Sequence, residues 1–350
     1  MTHTADMENL TDELRRSRPT FVLSVPRVFE KVHQQAARKA RSDGKGRTFE
    51  RAEQVAVAYS RALDNGSEPG LMLRARHLVF DRLVYRKLRA ALGGRCRYAI
   101  SGGGPLNPRL GHFFRGIGVT ILEGYGLTET SPAATANLPD ATRIGTVGRP
   151  LPGVTVRVAD DGEVLIKGDL VFQGYWNNPE ATGDALTADG WSRSGDLGEL
   201  AADGYLSITG RKKEIIVTAS GKHVAPAMLE ERVRSHPLVG QCVVVGDRRP
   251  FVAALVTIGP HQWPTWLTEH GREASTSVAA LREDPALRAD IQTGIDEANK
   301  TVSHPEAIKQ FRILPEDFTE AHGELTPTLK VKRDVVEERY RADIDAIYQR

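Results

Sequence analysis

The sequence predicts an α/β protein in two parts, a sheet-and-helix region over residues 1–210 and a smaller α+β module over residues 211–350. Three observations predict it. Residues 13–97 carry apolar side chains at helical spacing, and residues 98–210 change to short β-rich runs punctuated by glycine and proline. After Gly210 the pattern restarts as strand, helix, strand, strand, which is the order of a compact α+β module. A chain of 350 residues has the length for two or three domains with buried cores.

In the first region, Phe49, Ala52, Val55, Ala56, Tyr59, Ala62 and Leu63 recur at helical spacing before the Asn65-Gly66 break. The run Arg15–Arg47 holds ten Lys/Arg against two acids, Glu30 and Asp43, a net of +8. That charge fits a solvated helix face, and it also suits anionic lipid or the phosphates of a ligand. Farther on, Val119–Leu122 and Val154–Val158 read as strands, and Asp161-Gly162 places a tight turn between Val154–Ala159 and Glu163–Lys167. In the second region a strand is expected over Glu214–Val217 and a helix entered at Pro226 and running over Ala227–Arg234, where proline's fixed φ suits a first turn. Strands follow at Cys242–Val245 and Phe251–Thr257, then a long polar helical region through residue 302 and a basic terminal segment.

Composition excludes little. Hydrophobic residues are 40%, charged residues 26% and the formal charge is +2, which gives no ground to expect a nucleic-acid partner. Cys96 and Cys242 lack the paired spacing of a zinc site or a disulfide framework, and the ten histidines show no His-Glu-x-x-His pattern. No protein-ligated transition metal is expected, and any metal should arrive with a phosphate. Met1–Leu10 has neither the basic start nor the apolar core of a signal peptide, and no apolar run approaches about 18 residues. The expected location is the cytoplasm, with the basic run admitting peripheral contact at the inner membrane face.

The chemistry concentrates in Glu123-Gly124-Tyr125-Gly126-Leu127-Thr128-Glu129-Thr130, directly after the strand Val119–Leu122, at the strand end where α/β sheets place ligands. Two glycines allow close backbone approach, Tyr125 offers a flat face for a base, and Thr128 and Glu129 supply oxygens suited to Mg²⁺ or phosphate. The same residues also fit a glycine turn before a helix capped by Thr128. The run Thr218–Lys222 lacks the spacing of a phosphate loop.

This block resembles the Tyr-Gly-x-Thr-Glu signature of the adenylate-forming (AMP-binding) superfamily of acyl-CoA synthetases, luciferases and peptide-synthetase adenylation domains. Further blocks match that family in order: Ser101-Gly102-Gly103-Gly104-Pro105-Leu106, Gly174–Thr182, Trp191–Gly198, Gly210–Glu214 and Leu325–Arg333. Arg18–Lys31 resembles long-chain acyl-CoA synthetases in particular; by pattern alone it is a buried strand followed by an amphipathic helix.

The resemblance implies a fold and a reaction. The fold is the carboxyl-terminal part of a large domain, with sheets, helices and a small β subdomain, followed by a small mobile α+β domain. The reaction activates a long-chain fatty acid with MgATP to acyl-AMP, releasing pyrophosphate, and then transfers the acyl group to CoA, releasing AMP. Nucleotide binding falls to Ser101, Gly102, Gly103, Gly104, Glu123, Gly124, Tyr125, Gly126, Thr128, Asp196 and Arg211, with Asp196 on the ribose hydroxyls and Arg211 on the ribose and phosphate side. Glu129 holds Mg²⁺ with the ATP, Thr128 and Glu129 act beside Lys330 in catalysis, and Lys330 bridges the substrate carboxylate and the α-phosphate. Lys213 matches a hinge, and Gly221, Lys222 and His223 lie on the CoA side.

The family's Ser/Thr/Gly-rich loop with Pro-Lys-Gly has no counterpart in these residues. The expectation is therefore an amino-terminally shortened large domain exposing apolar surface meant for absent neighbours. Two other readings stay open: a non-catalytic or partner-complementing fragment that binds nucleotide, CoA or another chain such as a complementing amino-terminal fragment, and another carboxylate-adenylating enzyme.

Overall fold

The computed structural model describes residues 10–64, 68–326 and 329–349. Asn65-Gly66, Pro327-Thr328 and the first nine residues lie outside the described residues. The chain divides into two compact units between Ile208 and Thr209.

In the first unit, Phe21–Ser24, Tyr98–Ser101 and Thr120–Tyr125 pair in parallel, and Thr135–Ala136 and Arg149–Pro150 extend the sheet antiparallel. Parallel strands need crossovers, and helices supply them: Pro26–Ser42, Gly46–Asp64 and Leu71–Phe80 between the first two strands, Pro108–Gly116 between the second and third. Phe29, Ala52, Ala56, Phe113, Phe114 and Ile121 are among the residues that close this core. The expected buried strand Phe21–Ser24 is a strand, but Phe21 and Leu23 are 55% and 65% exposed. In register with them, Tyr98 and Ile100 are also exposed, so one face of the sheet is uncovered while Ala99 and Ile121 face the core.

The helix Gly46–Asp64 forms where expected, but its buried stripe is rotated. Phe49, Ala52 and Ala56 are buried together with Glu53, Val57 and Ser60, and Leu63 is exposed. Polar partners cause the rotation. Glu53 meets Arg109, and Ser60 accepts a hydrogen bond from Arg115 at 2.8 Å, so two polar side chains enter the interface with Pro108–Gly116. A second, smaller sheet orders Thr155–Val158, Glu163–Lys167, Ser192–Leu200 and Leu206–Arg211. Its first hairpin turns at Asp161-Gly162 as the sequence predicts, with Gly162 at φ +84.

The second unit holds a three-stranded sheet in which Val239–Val245 pairs antiparallel with Val252–Ile258, and Val252–Ile258 parallel with Ile308–Ile313. The sequence reading missed Ile308–Ile313 and extended helix over the whole region to residue 302; three separate helices stand there, Trp263–Glu269, Val278–Leu281 and Pro285–Asn299. The expected strand Glu214–Val217 is also shorter. Lys212–Glu214 is a 3₁₀ turn, and only Ile216–Val217 pairs, with His223–Val224. The terminal segment folds into the helices Arg333–Arg339 and Arg341–Tyr348. No described helix is long and apolar enough to cross a membrane.

Candidate functional site

The carboxyl ends of the three parallel strands gather the glycine run and the tyrosine block. Ser24, Ser101 and Glu123 lie side by side in register. The Gly102 amide donates to Ser24 O at 3.3 Å, and a Cβ on Gly102 would stand 3.6 Å from Gly124 O. Gly103 takes φ +78, a left-handed conformation that suits a residue without Cβ. Ser101–Gly104 and Glu123–Gly126 thus form one rim, with backbone exposed at the strand ends.

Strand and turn geometry place the next residues. The strand runs on through Tyr125, farther than Leu122, and Thr128–Thr130 forms one 3₁₀ turn. Thr128 is exposed and does not cap; Thr130 Oγ1 accepts from the Leu127 amide at 2.8 Å instead. The block's glycines are required by the protein backbone itself: a Cβ on Gly126 would lie 2.1 Å from Pro132 O, and one on Gly124 3.3 Å from Thr135 O.

Asp196 reaches this rim from the second sheet. The Tyr125 hydroxyl donates to Asp196 Oδ2 at 2.7 Å, joining residues 71 positions apart. Asp196 is buried, and its strand is pinned by Ser194, whose hydroxyl donates to Val164 O at 2.6 Å and accepts from the Asp196 amide at 3.0 Å. The Gly195 amide donates to the buried Glu163 carboxylate at 2.9 Å. Glu129 stands nearby in sequence but has its own partner, the Tyr175 hydroxyl, at 2.6 Å. That hydrogen bond to Glu129, together with burial and the Glu129 charge, pushes the Tyr175 hydroxyl above its ordinary pKa. Tyr175 belongs to a motif quoted above but received no role there; Glu163 carried no sequence signal of its own.

No group of three or more His, Cys, Asp or Glu that could hold a metal occurs among the described residues. Glu129 alone is a weak cation site, and a hard cation such as Mg²⁺ is satisfied by one carboxylate when phosphate oxygens and water complete its shell. The donor set therefore fits a metal that enters with a nucleotide. Both cysteines are buried, and burial pushes each thiol up.

The remaining predicted residues belong to the second unit. Arg211 ends the strand Leu206–Arg211, and Lys213 is exposed in the 3₁₀ turn that follows. Gly221 takes φ +79 in the turn between Ile216–Val217 and His223–Val224, so Thr218–Lys222 is a hairpin turn. Lys222 Nζ pairs with Glu306 at 3.2 Å. Lys330 is exposed, and its amide donates to Thr326 Oγ1 at 3.0 Å while its carbonyl accepts from the Thr326 amide at 2.8 Å. No hydrogen bond or ion pair links Lys330, Lys213 and Lys222 to one another among the described residues.

Sequence reasoning missed the clamp that holds the Lys330 segment. Arg333 pairs with Glu230 and donates from Nη1 to Val244 O at 2.7 Å, while the Val244 amide donates to Glu230 Oε1 at 2.7 Å. A separation of 103 residues between the paired side chains leaves no periodic trace.

Comparison with known proteins agrees with this geometry. Residues 1–176 match the AMP-binding enzyme family and residues 213–350 match the AMP-binding enzyme C-terminal domain. The chain is 57% identical over 347 residues to the long-chain-fatty-acid–CoA ligase FadD15 of Mycobacterium tuberculosis, covering 99% of this chain and 58% of that protein. It is 34% identical to a human long-chain-fatty-acid–CoA ligase, covering 97% of this chain and 50% of the relative. Among solved structures, the adenylation domain of a carboxylate reductase from Mycobacterium chelonae superposes with a TM-score of 0.72 at 26% identity, over 99% of this chain and 49% of that one. The chain thus spans between half and three-fifths of the curated relatives' length. With both parts matched in order and the tyrosine block seated at the strand ends, the chain belongs to the AMP-binding enzyme family.

Proposed function

We propose that this chain is part of an ATP-dependent ligase that activates a long-chain fatty acid and passes it to CoA. A carboxylate oxygen attacks the α-phosphate of ATP, the bond to pyrophosphate breaks, and acyl-AMP forms. The CoA thiol then attacks the acyl carbon, AMP leaves, and the thiol proton is released. The observation that carries the reading is the Tyr125–Asp196 hydrogen bond beside the glycine rim. It supports a pocket where backbone and a tyrosine face receive the adenine and a buried carboxylate accepts the ribose hydroxyls. The names of the relatives supply the long acyl chain and CoA.

In this reading Ser101–Gly104 and Glu123–Gly126 border the base, Thr128 donates to phosphate and Arg211 contributes a planar donor fork. Mg²⁺, held by Glu129 together with ATP, would neutralise phosphate charge. Lys330, exposed on its loop, stabilises charge at the α-phosphate during adenylation. Lys213 serves as the hinge between the two half-reactions, and Gly221, Lys222 and His223 border the thiol acceptor; opening the Lys222–Glu306 pair would release a cation for CoA phosphate. A fatty-acid substrate is consistent with a protein working against a membrane surface.

The test has two arms. Calorimetry on the purified chain should detect AMP, with Asp196→Asn weakening binding at least about tenfold, the loss expected for one charge-assisted hydrogen bond. The chain joined to the part of the M. tuberculosis relative that it does not match should form palmitoyl-CoA from palmitate, ATP and CoA, identified by mass spectrometry. In that enzyme Lys330→Ala should suppress ATP–pyrophosphate exchange far more than thioester formation from supplied palmitoyl-AMP. Equal losses in both steps would remove Lys330 from its role; acyl-AMP without acyl-CoA would favour an adenylating enzyme of another kind, and no AMP binding in either form would leave the non-catalytic reading.

A further inference from the structure

One long helical run carries an unpartnered surface with a marked chemistry. Leu71–Phe80, the π turn Asp81–Tyr85 and Arg86–Ala91 follow one another without a break. One side of the run is anchored. Tyr85 is fully buried and donates to Ala52 O at 2.7 Å, the His77 ring stacks on Tyr59 at 4.0 Å and lies 2.6 Å from Gly116 O, and Arg89 donates to Ile117 O at 2.7 Å. The other side carries Leu71, Met72, Leu78, Val79 and Leu83, which are 55–85% exposed.

Cations are interleaved with this apolar stripe. Residues 71–91 hold Arg74, Arg76, Arg82, Arg86, Lys87 and Arg89 against the single acid Asp81, a net of +5. Arg74 pairs with Glu68, and Arg86 and Arg89 share Asp81, so the acids are committed. Burial raises the Asp81 carboxyl, but hydrogen bonds and charge from Arg89 and Arg86 outweigh it and hold it below its usual range. Arg76, Arg82 and Lys87 are exposed and make no ion pair among the described residues. Aliphatic side chains flanked by long cations are what an acyl-chain boundary under anionic headgroups accepts, because the stems lie in the apolar layer while the charged ends reach phosphate.

We propose that the exposed face of Leu71–Lys87 docks on the headgroup–acyl boundary of a membrane rich in anionic phospholipid. Charge complementarity selects this occupant. A second copy of the chain would set arginine against arginine. The uncovered sheet face at Phe21, Leu23, Tyr98 and Ile100 is equally apolar but has no cation within its strands, so it lacks the lipid signature. The proposal needs neither nucleotide nor CoA and stands apart from the ligase reading.

The experiment is co-sedimentation of the purified chain with phosphatidylcholine vesicles, with and without about one-third phosphatidylglycerol. Binding to the anionic vesicles is expected to be at least about tenfold tighter and to fall as salt rises from about 0.1 to 0.5 M, since surface charge is screened. Leu78→Ser with Val79→Ser, and separately Arg76→Glu with Arg82→Glu and Lys87→Glu, should each reduce binding about tenfold with an unchanged circular-dichroism spectrum. The charge-reversal variant alters only exposed side chains and keeps the test valid if the serine pair unfolds. Phe21→Ser with Leu23→Ser should bind like the parent. Equal binding to neutral vesicles without salt dependence, loss of binding in the sheet variant alone, or a dimer in sedimentation velocity that the helix variants abolish would each overturn the proposal.

Discussion

At the scale of single residues, two histidines respond to burial in the same direction. His112 lies on Pro108–Gly116 with its Nδ1 3.0 Å from Ser60 Oγ, and His236 packs against Gly294, where an added Cβ would stand 2.9 Å from the His236 Cβ and 3.2 Å from its ring Cγ. Burial pulls the His112 imidazole below its ordinary pKa; Asp64 opposes this, but its carboxylate already pairs with Arg115 at 2.6 Å, and Arg115 and Arg61 push the same way as burial. Burial likewise lowers His236 against the opposing charge of Asp290. In the unfolded chain both protonate near pH 6.5, whereas the fold resists protonation. Their contribution to stability is therefore present above about pH 6.5 and is lost as pH falls through the depressed folded values. Thermal denaturation followed between about pH 7.5 and 5.5 should show a falling midpoint, and the double variant His112→Asn with His236→Asn should flatten that slope. An unchanged slope in the variant would assign the pH dependence elsewhere.

At the scale of elements, the Glu230–Arg333 pair ties three pieces together: the helix Pro226–Arg234, the strand Val239–Val245 and the start of Arg333–Arg339. Removing Arg333 would leave a buried carboxylate whose charge nothing matches. Arg333→Ala is expected to cost about 3–5 kcal/mol in urea denaturation, with the double variant Glu230→Gln, Arg333→Met costing less because no charge is stranded. Equal costs would show that packing alone matters there. Such cross-chain pairs were not legible in the sequence, whereas elements with a strong period were. Val252–Ile258 is a mostly apolar strand buried on both faces, and the expected Phe251–Thr257 is off by one residue at each end; of Val239–Val245 only Cys242–Val245 is foreseen, because Gly240 and Gln241 interrupt its apolar run. Ile308–Ile313 escaped because Lys309, Gln310 and Arg312 break both alternation and run, Arg312 being neutralised by Asp343 at 2.6 Å. The candidate site divides the same way. Its motifs were visible as ordered blocks, but the Tyr125–Asp196 bond exists only once two distant strands meet, and the Tyr175–Glu129 bond only once a 3₁₀ turn and an irregular segment 46 residues apart come together.

At the scale of the whole molecule, the two units differ in how completely they cover their sheets. In the second unit, alternate residues of one strand enter different cores. Cys242 and Val244 join Leu229, Leu287 and Ile291, while Val243 and Val245 join Leu314, Val336 and Ile344 on the other face. Both faces of that sheet are therefore sealed by residues of the same unit. The first unit seals one face of its parallel strands and leaves Phe21, Leu23, Tyr98 and Ile100 exposed on the other. Self-contained burial is the physical condition for independent folding, since it is the apolar area removed from water that offsets chain entropy. Residues 209–350 produced alone should accordingly unfold in one cooperative urea transition, with the slowest amide exchange in Val239–Val245 and Val252–Ile258. Residues 10–208 produced alone should bind a hydrophobic dye more strongly, through the uncovered sheet face. A broad, non-cooperative transition in the second unit, or dye binding there equal to that of the first, would mean that its two cores depend on surfaces outside residues 209–350.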